Sequence, residues 1–206
     1  MSLFIVIEGT DGSGQDAQAK KLVEFLQKHY QENVILTREP TDSVIGQEIR
    51  AILCREKPNP GAAEVQALMI EDRQFHQREI KSHLNVHRIV VCIRYFYSTL
   101  AYGGADGLDM QILWEKNKDF LRPDLTIFLD LNSEISMQRI ASRGMGTELF
   151  ERKEFLSNVR RNFLQLVNNK EFPEMRVVDA NRSIDEVHRT IIILVQGGFP
   201  LRFPTN

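Results

Sequence analysis

Short apolar runs alternate along the chain with stretches in which apolar residues recur at helical spacing. The runs have the length and the β-branched content of strands, and the stretches between them have the period of amphipathic helices. The predicted strands are residues 2–8, 33–38, 88–93, 125–131 and 175–179. The predicted helices are residues 17–29, 44–54, 62 to about 84, 134–143, 151–168 and 183 to about 195.

This alternation predicts the fold class. The runs 88–93 and 125–131 are apolar without interruption, which is typical of strands covered on both faces. Five such strands separated by helices predict an α/β fold with a parallel sheet and helices on both of its faces. Sheets of this kind bind ligands beyond the carboxyl ends of their strands. We therefore expect the chemistry just after Glu8, Arg38, Ile93 and Asp130.

Nothing in the sequence divides the chain into parts. No internal repeat, low-complexity tract or linker interrupts its 206 residues, so we expect a single domain over residues 1–206. A glycine-containing break separates the helices 134–143 and 151–168. The tail, about 197–206, carries two prolines and is predicted to be loose or laid on the surface.

Composition excludes several classes of protein. Hydrophobic residues make up 42% and charged residues 26%, as in ordinary globular proteins, and no apolar run approaches the roughly 18 residues of a membrane span. Lys and Arg total 26 against 28 Asp and Glu, so we expect no broad nucleic-acid-binding face. The start of the chain lacks the basic region of a signal peptide, and Cys54 and Cys92 are expected to be free core thiols. These features predict a cytoplasmic protein.

A glycine-rich segment follows the first predicted strand. Gly9 and Gly14 have the spacing of a phosphate-binding P-loop, G-x-x-x-x-G-K-[ST], and Gly12 adds a further flexible point. Glycines allow backbone N–H groups to turn toward a phosphate, and the N-terminus of the following helix adds its positive dipole end. The plainer alternative is a tight strand-to-helix turn that needs glycine for positive φ.

Two residues depart from the P-loop pattern. Gln15 stands at the lysine position and Asp16 at the hydroxyl position. Lysine normally neutralises the transferring phosphates, and the hydroxyl helps to hold Mg²⁺. Gln15 brings no charge. Asp16 is a candidate metal ligand, a candidate acceptor of the hydrogen bonds that a bound phosphate would take from the loop, or a solvent-exposed residue at a helix start.

Beyond the loop, the sequence resembles the thymidylate kinases through nearly the whole chain. The segment from Glu8 to Gln18 is similar to the family's E-G-x-D-G-x-G-K-[ST]-[ST]-Q, with Asp11, Gly12 and Gly14 in register. The later matches occur in the family's order. They are Thr37-Arg38-Glu39-Pro40, then Gly46, Ile49 and Arg50, then Asp72-Arg73 and His76, then Arg94-Tyr95, Ser98 and Ala101-Tyr102, then Pro123-Asp124-Leu125 and Leu129-Asp130, then Arg139 and Arg143-Gly144, and finally Val178-Asp179-Ala180.

The resemblance implies a P-loop NTPase fold of the nucleoside monophosphate kinase type, with three layers and a five-stranded parallel sheet. It implies transfer of the γ-phosphoryl group of ATP to dTMP with Mg²⁺, a mobile lid at about 143–150, and a homodimer. Partners are then a dTMP-like monophosphate and ATP, with no nucleic acid and no membrane. The long helix offers Val65, Leu68, Met69 and Ile80 as an apolar seam for a second copy, although a core helix explains these residues equally well.

The resemblance also assigns roles on the acceptor side. Arg38 and Arg94 would hold the acceptor phosphate, with Arg50 in support, and guanidinium groups at strand ends suit that task. Arg73 would approach the base edge. Asp11, which we group with Arg94 as catalytic, would approach the acceptor sugar, and Tyr102 would pack against it. For the arginines, surface ion pairing is the alternative. The family also suggests a cis Glu39–Pro40 bond.

On the ATP side, the resemblance implies four residues. Arg139 and Arg143 of the lid would lie towards ATP, and Ala180 and Asn181 would border the adenine. Charge on a helix surface explains the arginines nearly as well, and a turn at a strand end explains the other two.

Five positions that would touch ligands depart from the family pattern. Besides Gln15 and Asp16, the D-R-[YF] aspartate is Ile93, the aromatic residue that stacks on thymine is Met69, and the amide after A-Y is Gly103. If the lost lysine and aspartate were each worth about 3 kcal/mol, the rate would fall by roughly 10⁴-fold. Two hypotheses follow: a weak Mg²⁺-dependent kinase, and a catalytically inactive pseudoenzyme with a binding or structural role.

Metal-dependent hydrolysis through histidines is a poor third hypothesis. The five histidines show no paired ligand spacing of a hydrolase motif. His76 and His83 share the long helix and are expected on its surface.

Overall fold

The computed structural model describes residues 2–30, 33–142 and 149–199. Within these ranges the chain forms five strands and eight helices, and strands alternate with helices as the sequence predicts. The strands are β1 (Leu3–Gly9), β2 (Val34–Arg38), β3 (Ile89–Ile93), β4 (Leu125–Asp130) and β5 (Met175–Asp179). The helices are α1 (Gln15–Tyr30), α2 (Val44–Leu53), α3 (Ala62–Asn85), α4 (Phe96–Ala105), α5 (Met110–Glu115), α6 (Ser133–Ala141), α7 (Leu149–Val167) and α8 (Ile184–Gly198).

The predicted five-stranded parallel sheet is confirmed. Its strand order is β2-β3-β1-β4-β5, and every neighbouring pair is parallel. In the register, Ile93 at the end of β3 lies beside Ile7 of β1 on one side and Arg38 of β2 on the other. Gly9 at the end of β1 pairs with Leu129 of β4. The segments that follow these strands therefore leave from a single edge of the sheet.

Successive residues of β1 point into two different cores, which makes three layers. Leu3, Ile5 and Ile7 pack with α1 and α8 on one face. Phe4 and Val6 pack on the other face with residues of α3, α4 and α7. Because both faces are covered, the strand has no polar positions to alternate with, and this is why its sequence is a continuous apolar run.

The ends of the last helix follow local sequence signals. Ser183 and Glu186 form a capping box at its start. The helix runs to Gly198 and so takes in the first two residues of the predicted tail. Residues 200–206 lie outside the described residues.

Helices α4 and α5 are not predicted from the sequence. The sequence of α4 is rich in aromatic residues, Gly, Ser and Thr, which are mediocre helix formers, and it is buried on most of its surface. Tertiary burial therefore stabilises a helix that local helix propensity does not predict. The start of α5 carries a clear signal in retrospect, since Asp109 accepts a hydrogen bond from the N–H of Gln111.

The burial of several singled-out residues differs from expectation. Cys92 is buried as predicted, but Cys54 is exposed at the end of α2. His76 is 2% exposed, so the expectation of a helix-surface residue is wrong. Val65 and Ile80 of the suggested seam are buried within the chain itself, as the core alternative expects. None of the helices within the described ranges is long and apolar enough to cross a membrane.

Candidate active site

A cavity of about 1630 Å³ lies beyond the carboxyl ends of β1, β2 and β3, at the edge where the sequence predicts the chemistry. The glycine loop and the start of α1 form one side of it, and α3 and α4 form the other. It brings together all of the predicted acceptor-side residues and most of the predicted phosphate-loop residues. Those that line it are Asp11, Gly12, Gly14, Gln15, Asp16, Arg38, Arg50, Arg73, Arg94 and Tyr102.

The loop after β1 has glycine geometry, and one of its own side chains bonds across it. Gly12 and Gly14 have φ values of 82° and 91°, which glycine adopts without steric cost. The Gln15 side chain is buried, and its Nε2 donates to the Gly9 carbonyl at 3.0 Å. The residue at the P-loop lysine position is therefore a neutral amide that is hydrogen-bonded to the loop backbone.

Asp16 is paired with Arg38. A guanidinium N–H of Arg38 donates to a carboxylate oxygen of Asp16, and both side chains are about half exposed. Among the described residues, no loop N–H donates to Asp16, so the expectation that it satisfies the loop in place of a phosphate is wrong. The carboxylate instead accepts a hydrogen bond from Arg38, the arginine that the resemblance implies would hold the acceptor phosphate.

Arg94 sits in an unusual backbone conformation directly after β3. Its φ of 63° lies in the left-handed region, which is uncommon outside glycine and is concentrated at functional sites. Its Nη2 donates to Asp11 at 2.8 Å, and its guanidinium lies 5.0 Å from the centre of the Tyr102 ring. Burial acts to lower the pKa of Arg94, but the acidic and phenolic groups around it outweigh this, and its pKa is raised. The group stays charged.

Glu8 lies beneath Arg94 and is fully buried. It accepts hydrogen bonds from the backbone N–H of Tyr95 at 2.8 Å and from the Ser98 hydroxyl at 2.6 Å. Burial raises its pKa from 4.5 to about 7, although these hydrogen bonds and the charge of Arg94 act to lower it. Ile93, beside it at the end of β3, is a buried apolar side chain.

Arg73 is held in a buried network on the cavity wall. Its Nε and Nη2 donate to Glu39 at 2.9 and 2.7 Å, and its Nη1 donates to Asn117 at 2.6 Å. His76 lies 3.1 Å from the other Glu39 oxygen and 2.7 Å from the Thr37 hydroxyl, which explains why it is buried. The network ties the end of β2 to α3.

Arg50 stabilises the turn that follows Arg38. Its Nη1 donates to the carbonyls of Pro40 and Thr41 at 2.7 and 2.6 Å. The Glu39–Pro40 peptide bond is cis, as the resemblance suggests. Arg50 therefore holds the backbone that follows Arg38.

Three of the residues expected on the ATP side come together. The Arg139 guanidinium lies 3.3 Å from the Gly12 carbonyl and 3.4 Å from the Ala180 carbonyl. Asn181 accepts a hydrogen bond from the backbone N–H of Asn132 at 3.0 Å. Arg143 and the lid residues 143–148 lie outside the described residues.

The carboxylates at this edge do not fit a protein-held Mg²⁺ ion as they are arranged. Asp16 and Asp11 are paired with arginines, and Asp130 accepts two bonds from Arg160 at 2.5 and 2.9 Å. No group of three or more His, Cys, Asp or Glu residues that could hold a metal ion occurs within the described part of the chain. Any cation bound through Asp16 would first have to displace Arg38.

Lys20 and Gln66 are among the cavity-lining residues that were not predicted from the sequence. Lys20 follows Asp16 by one helical turn on α1 and borders the cavity, which its spacing alone could have indicated. Gln66 lies on α3 at spacings of three and seven from Met69 and Arg73, so the three share a helix face, and all line the cavity.

A parallel sheet of this order, with a glycine loop leading into α1 and arginines at the neighbouring strand ends, defines an α/β protein of the P-loop NTPase type. The family model for thymidylate kinases matches residues 7–191. The chain belongs to the thymidylate kinase family.

Individual relatives agree with this assignment. A probable thymidylate kinase of Thermococcus gammatolerans is 43% identical over 204 residues, which cover 95% of this chain and 97% of that protein. A probable thymidylate kinase of Pyrococcus horikoshii is 44% identical, with 94% and 95% covered. The crystal structure of thymidylate kinase from Ehrlichia chaffeensis matches with a TM-score of 0.78 at 28% identity, covering 95% of this chain and 99% of that one.

Proposed function

We propose that the protein binds a dTMP-like nucleoside monophosphate in the cavity, and that it transfers the γ-phosphoryl group of ATP to this acceptor only weakly, giving dTDP. The proposal rests on a contrast between the two sides of the site. On the acceptor side, Arg38 and Arg94 line the cavity. On the donor side, Gln15 is neutral and bonded to Gly9, and Asp16 adds a negative charge.

On the acceptor side, the chain supplies binding and orientation. Arg94 is held by Asp11 and by the face of Tyr102, so its fork is oriented before a phosphate arrives. Arg38 is positioned by the turn that Arg50 stabilises. Two arginines at adjoining strand ends can bind the three oxygens of a monophosphate from two sides.

The donor side lacks the charge that phosphoryl transfer uses. Transfer of this kind depends on positioning and on neutralising the phosphates rather than on covalent help from the protein. Lys20, which lines the cavity together with the loop, and Arg139, which lies 3.3 Å from the Gly12 carbonyl, are two cationic side chains near the loop. They would have to replace the absent lysine if ATP and Mg²⁺ are the donor pair, and Asp16 would serve as a metal ligand only after releasing Arg38.

A catalytically inactive pseudoenzyme is the second candidate. Ile93 favours it, because a buried isoleucine stands where the family resemblance calls for an aspartate near the transferring phosphoryl group. In this alternative the protein holds a monophosphate and acts through binding.

Calorimetric titration of dTMP and of ATP separately, with and without Mg²⁺, tests the binding proposal. We expect dTMP to bind more tightly than ATP. Micromolar ATP binding with no detectable dTMP binding would overturn it. A coupled assay for dTDP then separates the two candidates, since only the weak kinase forms a product.

The expected homodimer also remains a proposal. The homodimer is implied by the family resemblance, and Phe75 on α3, which is 52% exposed, is accessible for an apolar contact with a second copy. Sedimentation equilibrium should give a dimer for the wild type and a monomer for Phe75→Glu. A wild-type monomer at all concentrations would contradict the proposal.

A further inference from the structure

Glu8 of β1 caps the helix that follows Arg94. Its Oε1 accepts hydrogen bonds from the backbone N–H groups of Tyr95 and Ser98 at 2.8 and 3.2 Å, and these are the N-cap residue of α4 and the third residue of its first turn. One carboxylate from a strand thus satisfies two N–H groups that the start of a helix leaves without intrahelical partners. Because Arg94 directly precedes Tyr95, Glu8 fixes the backbone from which the Arg94 side chain leaves.

The Ser98 hydroxyl links Glu8 to the Arg94 guanidinium. It donates to Oε2 of Glu8 at 2.6 Å, and Nη1 of Arg94 lies 3.4 Å from the same hydroxyl oxygen. Ser98 and Arg94 line the cavity, whereas Glu8 is fully buried. Glu8 therefore acts on the cavity through these two residues.

An ionised Glu8 places a second negative charge near Arg94. Asp11 already pairs with this guanidinium at 2.8 Å, and the Arg94 side chain is only 20% exposed. A phosphate that binds to Arg94 adds about 1.5 to 2 further negative charges. Like charges in a poorly solvated site repel one another strongly, and the repulsion is relieved when one of the groups takes up a proton.

Glu8 is the group placed to take up that proton. Burial raises its pKa from 4.5 to about 7. Cys92 of β3 and Tyr102 of α4 also lie close enough to feel its charge, but burial raises the pKa of both, so they are neutral near pH 7. Asp11 is 40% exposed and keeps its charge in the pair with Arg94.

We propose that Glu8 is the positioning residue of Arg94 and that it binds a proton when an acceptor phosphate binds to this arginine. The proton comes from solvent and goes to Oε2, because Oε1 already accepts two backbone N–H groups. The protonated oxygen then donates to the Ser98 oxygen, and the Ser98 hydrogen is released to donate into the cavity. The inference rests on the proposed function, because it requires a monophosphate at Arg94.

The first test compares dTMP binding by the wild type and by Glu8→Gln between pH 7 and 8.5. The phosphate, whose second pKa is about 6, is already a dianion over this range. An amide at position 8 resembles the protonated acid, since it keeps an acceptor and donates to Ser98. We expect wild-type affinity to fall about three- to tenfold relative to that of Glu8→Gln, as one linked proton gives no more than about tenfold per pH unit.

Asp106→Asn is the matched control. Asp106 also lines the cavity, and burial also raises the pKa of its carboxyl group. This variant should follow the wild type. If Asp106→Asn removes the pH dependence, or if Glu8→Gln keeps it, the titrating group is not Glu8 and the inference is overturned.

Calorimetry of the wild type in two buffers with different heats of ionisation counts the linked protons without any variant. At pH 8 we expect dTMP binding to take up about half a proton to one proton, and thymidine, which has no phosphate, to take up none. Binding of dTMP without proton uptake, or equal uptake with thymidine, would overturn the inference. If the wild type binds no dTMP at any pH, the proposed function itself has failed.

Discussion

The Asp16 carboxylate at the start of α1 and the Arg38 guanidinium at the end of β2 form an ion pair across the mouth of the cavity. The carboxylate takes from Arg38 the kind of hydrogen bond that a phosphate oxygen would take. An arriving monophosphate must therefore compete with a side chain of the protein for this arginine.

Asp16→Asn is expected to strengthen dTMP binding. The substitution removes the competing charge, and exposed ion pairs are worth about 0.2–1 kcal/mol, so we expect a gain of about 1.4- to fivefold. Calorimetry on both forms measures it. Asp185→Asn is the matched control, because it breaks another exposed pair of α1, that with Lys21, away from the cavity. Weaker dTMP binding by Asp16→Asn would mean that Asp16 assists the acceptor.

Gln15→Lys combined with Asp16→Thr is expected to raise ATP affinity. The pair restores a positive charge and removes a negative one at the phosphates, and it also frees the Gly9 carbonyl from the Gln15 amide. Full turnover should not return, since Ile93 still offers no carboxylate. Wild-type turnover already on the order of 1–100 s⁻¹, the range of ordinary kinases, would refute our account of these positions.

Glu8 is expected to make the protein less stable as the pH rises from about 4.5 to about 7. Burial raises the pKa of Glu8 to about 7, so over this range the folded state holds a proton that the unfolded state releases. The loss should be on the order of 3 kcal/mol and complete above pH 7, since one pKa unit corresponds to about 1.4 kcal/mol.

Urea unfolding of the wild type and of Glu8→Gln between pH 4.5 and 8 measures this contribution. The variant keeps an acceptor for the Tyr95 N–H and should lack that part of the pH dependence. Glu24→Gln, at an exposed position of α1, is the control and should follow the wild type. Parallel curves for all three proteins would show that Glu8 titrates normally.

Arg73→Met is expected to destabilise the fold by about 3–5 kcal/mol, because it leaves the buried Glu39 carboxylate without its cation. Arg78→Met is the control, since Arg78 lies on the exposed side of the same helix. Chemical denaturation compares the two variants. A loss of similar size in both would indicate that helix propensity, rather than the buried pair, is responsible.

The sheet was predictable from sequence because strands covered on both faces are unbroken apolar runs, and β1 is one of them. The glycine loop and Arg94 were predictable because each belongs to a sequence motif that lies directly at the end of a predicted strand. The partners of the site residues were not. Asp16 pairs with Arg38, which lies 22 positions away in the sequence, and no local sequence signal indicates that the two side chains meet. His76 is buried where it contacts Thr37 of β2 and Glu39, the residue directly after β2.

Helix α4 was missed for a related reason. Its poor intrinsic helix propensity is overridden by burial against α7 and β1. A helix that packs on several sides lacks the one-sided apolar periodicity by which an amphipathic helix is predicted from sequence.

The bonds that Glu39 makes with Arg73 and His76 also bear on how this lineage can change over time. A mutation of any one of these three residues leaves the other two without their partner in the buried interior. Single substitutions among them are therefore selected against, and the three should be inherited together. Asp16 meets Arg38 in solvent. Asp16 is therefore free to change alone, whereas Arg38 keeps its proposed role of binding the acceptor phosphate. Comparison of descendants should therefore find variety at the mouth of the cavity long before it reaches the residues that anchor its wall.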